Sequence, residues 1–113
     1  MNEFIYLFRG RDTSASPEQM QKSLEKWMAW FKELSAENHL KSPGNALEHG
    51  GNVVKGKQKA ITDGPYAEAK DVVGGYTIIE AKDLAEATEI AKGCPIFEVG
   101  GSVEVRPIQK FGP

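Results

Sequence analysis

Cysteine occurs once in this 113-residue chain, at Cys94. No intrachain disulfide can form, so the core must rest on packing alone, and a reducing compartment suits the chain. No apolar run approaches the roughly 20 residues that a membrane-spanning helix needs. The opening "MNEFIYLFRG", with Glu3 and only a short apolar stretch, makes a poor signal peptide. These absences point to a cytoplasmic protein with no membrane partner. Charge of one sign is not in excess either: 14 basic against 16 acidic residues leave a net charge of −2. That balance argues against a nucleic-acid partner. Histidine is scarce, with only His39 and His49 present and no metal-binding spacing between them. A metal site needs three or four converging ligands, so none is expected.

Motifs of known chemistry are missing as well. There is no G-x-G-x-x-G and no G-x-S-x-G. "GNVVKGKQ" at 51–58 nearly matches a phosphate-binding loop, but Gln58 replaces the magnesium-binding hydroxyl. The residues after it, "KAITDGP", read as a strand and a turn, whereas a phosphate loop must open a helix. Cys94 lies just past a helix end, where the field opposes thiolate formation, so it reads as a packing residue. No motif names a cofactor.

What is present is a folded chain of one domain, 1–113, with 40% apolar residues. Residues 2–9, "NEFIYLFR", read as a strand with Phe4, Tyr6 and Phe8 on one face and Ile5 and Leu7 on the other. Both faces are apolar, as in a strand covered on both sides. "SASPEQMQKSLEKWMAWFKELSAENHL" carries Ser16, Pro17 and Gln19 as start signals. Met20, Leu24, Trp27, Met28, Phe31 and Leu34 then recur at helical spacing, which predicts a helix over 17–37 with this stripe inward. Trp30 falls beside the stripe, where it would cover an edge or a partner. Short strands are expected at 46–49, 52–55 and 59–62, with reversals at Gly50-Gly51 and Gly56-Lys57. "VVGGYTIIEA" at 72–81 is the strongest strand signal. "KDLAEATEIAKGCP" is a second helix, capped by Asp83 and stopped by Gly93 and Pro95. "GSVEVRPIQ" alternates Val103 and Val105 against Glu104, Arg106 and Ile108.

The order is α+β: a ferredoxin-like split βαβ with an extra central hairpin and both helices on one sheet face. The two helices leave the second face of the first strand uncovered. The economical cover is a second copy of the chain, sheet against sheet, as a homodimer; the alternative is partial cover by the central hairpin. Glu104 and Arg106 would then edge a cavity, paired with each other or with Asp63 or Glu68.

The stretch "TDGPYAEAKDVVGGY" at 62–76 gathers the remaining candidates. Pro65 starts a turn beside Asp63, Glu68 and Lys70 follow on its polar side, and Gly74-Gly75 allow a close backbone approach. "FIYLFRG", "DGPYAEAK" at 63–70, "VGGY" at 73–76 and "CPIFEVGGSVEVRPI" at 94–108 together resemble the YCII-related proteins of the DGPF type, with Tyr66 in the fourth signature place. The resemblance covers nearly the whole chain. It implies a dimeric α+β barrel and a bacterial, cytoplasmic protein. A shorter branch of that family is associated with a histidine and an aspartate, at places where this chain has "KWMAW" and Cys94-Pro95, so that pair does not carry over. Some members are linked to alternative sigma factors or transcription initiation.

Two functional readings follow. In one, a dimer encloses a cleft for a small molecule, with or without catalysis. Its ligand-binding residues would be Asp63, Tyr66, Glu68, Arg106 and His49. In the other, the chain is a regulatory module for a protein partner, using the helix surface near Trp30 or the hairpin.

Overall fold

Nine elements follow one another in a computed structural model that describes residues 1–10, 15–64 and 71–110. They are β1 (Asn2–Arg9), α1 (Pro17–Ala36), β2 (Leu40–Ser42), β3 (Gly51–Lys55), β4 (Ala60–Gly64), β5 (Val73–Ala81), α2 (Leu84–Ala91), a 3-10 helix (Pro95–Val99) and β6 (Ser102–Pro107). Four strands form one antiparallel sheet in the order β2-β5-β1-β6. That is the ferredoxin-like order, with β3 and β4 set apart as a two-stranded hairpin. Neither sheet closes on itself, so a single chain is an open α+β sheet and not a barrel.

The helix starts follow their signals. Ser16 accepts from the Gln19 amide at 3.2 Å, and the Gln19 side chain accepts from the Ser16 amide at 2.9 Å. Pro17 occupies the first turn, where its missing N–H costs nothing. Asp83 caps α2 by accepting from the Glu86 amide at 2.9 Å.

The core lies between the helices and one face of β1 and β5. Phe4, Tyr6 and Phe8 from β1 meet Ile79 and Ala81 from β5, Ala87 and Ala91 from α2, and Trp30 and Leu34 from α1. The inward side of α1 differs from the expected stripe. Trp30 is buried at 5% exposure, whereas Met20, Leu24 and Met28 are 61%, 55% and 59% exposed. The apolar residues of α1 span an arc of roughly 160° at 100° per residue, more than one sheet contact can cover. The aromatic half of that arc is the one buried. Trp30 stacks on Tyr6 with centroids 6.1 Å apart, and Trp27 meets Phe8 edge-on at 4.9 Å. Large rings bury more apolar area than thioethers, so they set the rotation of the helix.

Two strand assignments also shift. The expected strand at 46–49 is only a bridge from Ala46 to Gly75, and the outer strand of the sheet is β2 at 40–42 instead. Residues 43–47 nonetheless run along β5. The Tyr76 amide donates to Asn45 at 3.2 Å, the Leu47 amide to Gly74 at 2.8 Å, and Thr77 Oγ1 to Pro43 at 3.0 Å. This approach needs glycine. Gly44 sits at φ +66, and a Cβ there would stand 1.9 Å from the Tyr76 carbonyl oxygen.

Candidate functional site

Alternation along the strands sorts their residues between the two sheet faces. The helix face takes Phe4, Tyr6, Phe8, Thr77 and Ile79. The open face takes three cross-strand rows. Val73, Arg9 and Ser102 form the first, Tyr76, Leu7 and Glu104 the second, and Ile78, Ile5 and Arg106 the third. Directly opposed residues share a face, so each row is a contiguous strip. Ile5, Leu7, Tyr76 and Ile78 make a half-buried apolar floor. Polar groups stand around it.

Arg9 is the most constrained of these. Its Nη2 donates to Glu104 Oε1 at 2.7 Å, and its Nη1 donates to the Asp71 carbonyl. The guanidinium therefore ties β1 to β6 and to Asp71, just ahead of β5. Tyr76 accepts a hydrogen bond from Asn45 Nδ2 at 3.2 Å, which leaves its own hydroxyl proton to donate. Lys41 and Glu3 lie 4.0 Å apart at the other end of the face. Arg106 is exposed and makes no ion pair among the described residues.

The sequence candidates are spread out in one chain. His49 lines a shallow groove of about 300 Å³ where the hairpin meets β5, with Glu48, Asn52, Gly64 and Val73. Asp63 pairs with Asn52 across the hairpin, is exposed, and stands just outside that lining. Arg106 is four residues down β6 from the row that borders the groove, roughly 13 Å along the strand. The expected pairing of Glu104 with Arg106 is replaced by the bond to Arg9, and Arg106 and Asp63 form no ion pair among the described residues. Tyr66 and Glu68 lie outside the described residues. Arg9, Tyr76 and Asn45 are the residues that sequence reasoning missed. The signal for Arg9 was available, since alternation from Ile5 and Leu7 puts it on the open face.

Among the described residues, the two groups with displaced pKa values are both on the far side of the sheet. Burial pushes the Cys94 thiol up to about 12, against a smaller lowering by the Ile96 backbone. Burial, then the nearby Cys94, raises the Tyr6 hydroxyl, which donates to the Ala87 carbonyl at 2.5 Å. A neutral, buried thiol is no nucleophile, so Cys94 packs the core. Among the described residues, no three His, Cys, Asp or Glu side chains converge as metal ligands would. No helix among the described residues is long and apolar enough to cross a membrane. The open face thus offers recognition chemistry: an apolar floor, a phenol donor and two guanidinium groups.

No curated protein matches the sequence. Among solved structures, the fold is similar to 5-chloro-2-hydroxyhydroquinone dehydrochlorinase from Burkholderia phenoliruptrix AC1100, a structure described in complex with 2,5-dihydroxybenzoquinone. The TM-score is 0.50 at 19% identity, over 97% of this chain and 95% of that one. The sequence itself matches the YCII-related domain over residues 4–112, from the first core phenylalanine past the last strand, and the chain belongs to that family.

Proposed function

We propose that this protein binds a small organic molecule on the open face of its sheet, in a cleft closed by a second copy packing sheet against sheet. The observation that carries the reading is the floor of Ile5, Leu7, Tyr76 and Ile78, which no helix among the described residues covers and which Arg9, Glu104 and Arg106 border. An apolar floor with a few convergent polar groups is the usual form of a small-molecule site. A flat ring fits such a floor, and negative charge on it would meet the guanidinium groups. The similarly folded dehydrochlorinase, described with 2,5-dihydroxybenzoquinone, supports a ligand of this size. His49 and Asp63, at the hairpin end, would line the mouth of the cleft.

Two measurements test the reading. Sedimentation velocity should give a dimer at micromolar concentration. Titration of ¹⁵N-labelled protein with 2,5-dihydroxybenzoquinone should move the amides of Arg9, Tyr76, Glu104 and Arg106 and spare those of α2. A monomer at all concentrations, or shifts centred on the helices, would contradict it.

A further inference from the structure

The β3–β4 hairpin has features that its own chain does not account for. Val54 faces Ile61 across the hairpin, and the two are 62% and 69% exposed. Among the described residues, β3 and β4 pair only with each other. A lone two-stranded hairpin is marginal in water, and an uncovered pair of β-branched residues gives it no support. The chain is also less compact than its length requires. The radius of gyration is 15.7 Å, against about 13 Å for a compact domain of this length.

We infer that this hairpin is an exchanged arm, which lies on a second copy of the chain and carries Asp63 to that copy's side of the cleft. The inference rests on the sheet-to-sheet dimer proposed above. Area is the first argument. Four strands about 4.8 Å apart and about 20 Å long give a footprint of roughly 400 Å², whereas a stable interface takes about 800 Å² from each partner. The arm is about 17 Å long and 10 Å wide, so giving one and receiving one brings each copy to roughly 750 Å².

Charge is the second argument. Residues two apart on a strand share a face, so Asp63 and Asn52 lie on the same side of the arm as Val54 and Ile61. Asp63 is exposed without an ion-pair partner among the described residues, and so is Arg106. Asp63 is on the hairpin, which meets the sheet at the Val73 row, and Arg106 lies in the far half of the open face, opposite Ile5. A two-fold axis running across the strands reverses one sheet over the other, so the hairpin end of one copy comes over the Arg106 half of its partner. Carboxylate and guanidinium then meet between copies.

The test uses the full chain. Benzoylphenylalanine is placed at Ile61 in an equal mixture of ¹⁴N and ¹⁵N protein, which is allowed to exchange and then irradiated. Cross-linked peptides of mixed isotope are expected, and cross-links within one isotope only would overturn the arm. In sedimentation, Val54→Lys with Ile61→Lys should weaken the dimer at least tenfold with an unchanged circular dichroism spectrum. Asp63→Arg and Arg106→Asp should each weaken it, and together restore it. Dimers unaffected by the arm variants but broken by Ile78→Lys would overturn the arm and leave the sheet contact standing. A wild-type monomer would remove both.

Discussion

Arg9 and Glu104 are bonded across neighbouring strands, Nη2 to Oε1 at 2.7 Å, although neither faces the other in the ladder. Arg9 is opposite Ser102, and Glu104 is opposite Leu7. The bond is therefore diagonal, and it leaves the second guanidinium nitrogen to reach the Asp71 carbonyl. The two side chains are 29% and 42% exposed, so solvent screens much of the attraction. Glu104→Gln should cost about 0.5–1 kcal/mol in urea unfolding. Arg9→Ala should cost more, about 1–2 kcal/mol, because the Asp71 carbonyl also loses its donor. A double-mutant cycle should return a coupling under about 1 kcal/mol.

Gly44 and Gly56 both have positive φ, at +66 and +76, yet they should respond differently to alanine. A Cβ at Gly44 would collide with the Tyr76 backbone, whereas one at Gly56 meets nothing within 4 Å. Gly56→Ala should cost only the conformational penalty, about 1–2 kcal/mol. Gly44→Ala should cost more than about 3 kcal/mol, because backbone must move. Thermal unfolding of the two variants side by side checks the contrast.

The sheet order was legible because each link in it has a local cause. β1 is apolar on both faces, both helices carry capping residues, and β6 alternates cleanly. Residues 40–47 were not legible. Asn45 and Leu47 make main-chain bonds to Tyr76 and Gly74 on a distant strand, and nothing in "LKSPGNAL" announces them. The rotation of α1 was hidden for a similar reason. Its apolar arc admits two inward faces, and only the rings of Tyr6 and Phe8 decide between them. Arg9 was overlooked because it is the last residue of its strand, where a charge reads as solvated.

Trp30 and Leu24 give a direct test of that rotation. Trp30→Ala should cost about 3–5 kcal/mol, as expected for a buried ring. Leu24→Lys should change stability by less than about 0.5 kcal/mol. The reverse ranking in denaturant midpoints would restore the stripe read from spacing.

Alkaline pH should destabilise the fold through Cys94 and Tyr6. Both keep their protons when folded and lose them more readily when unfolded. Their contribution is fully present below the unfolded thiol's value of about 8.5. It is lost as pH rises through the folded Cys94 value of about 12. Urea midpoints should therefore hold to about pH 8 and fall by pH 10, at up to about 1.4 kcal/mol per pH unit for the thiol. Cys94→Ala should shrink that fall, whatever it does to stability at pH 7. An equal fall in the variant would assign the effect elsewhere.

The sheet order also sets a timetable. Tyr6 precedes both of its ladder partners, Thr77 and Val105, by long stretches of chain. β1 is therefore made well before β5 and β6, and Phe4, Tyr6 and Phe8 stay bare until those strands follow. The pairings with the longest loops form the heart of the sheet, so it should fold late and slowly. Until then β1 is the strand most exposed to aggregation.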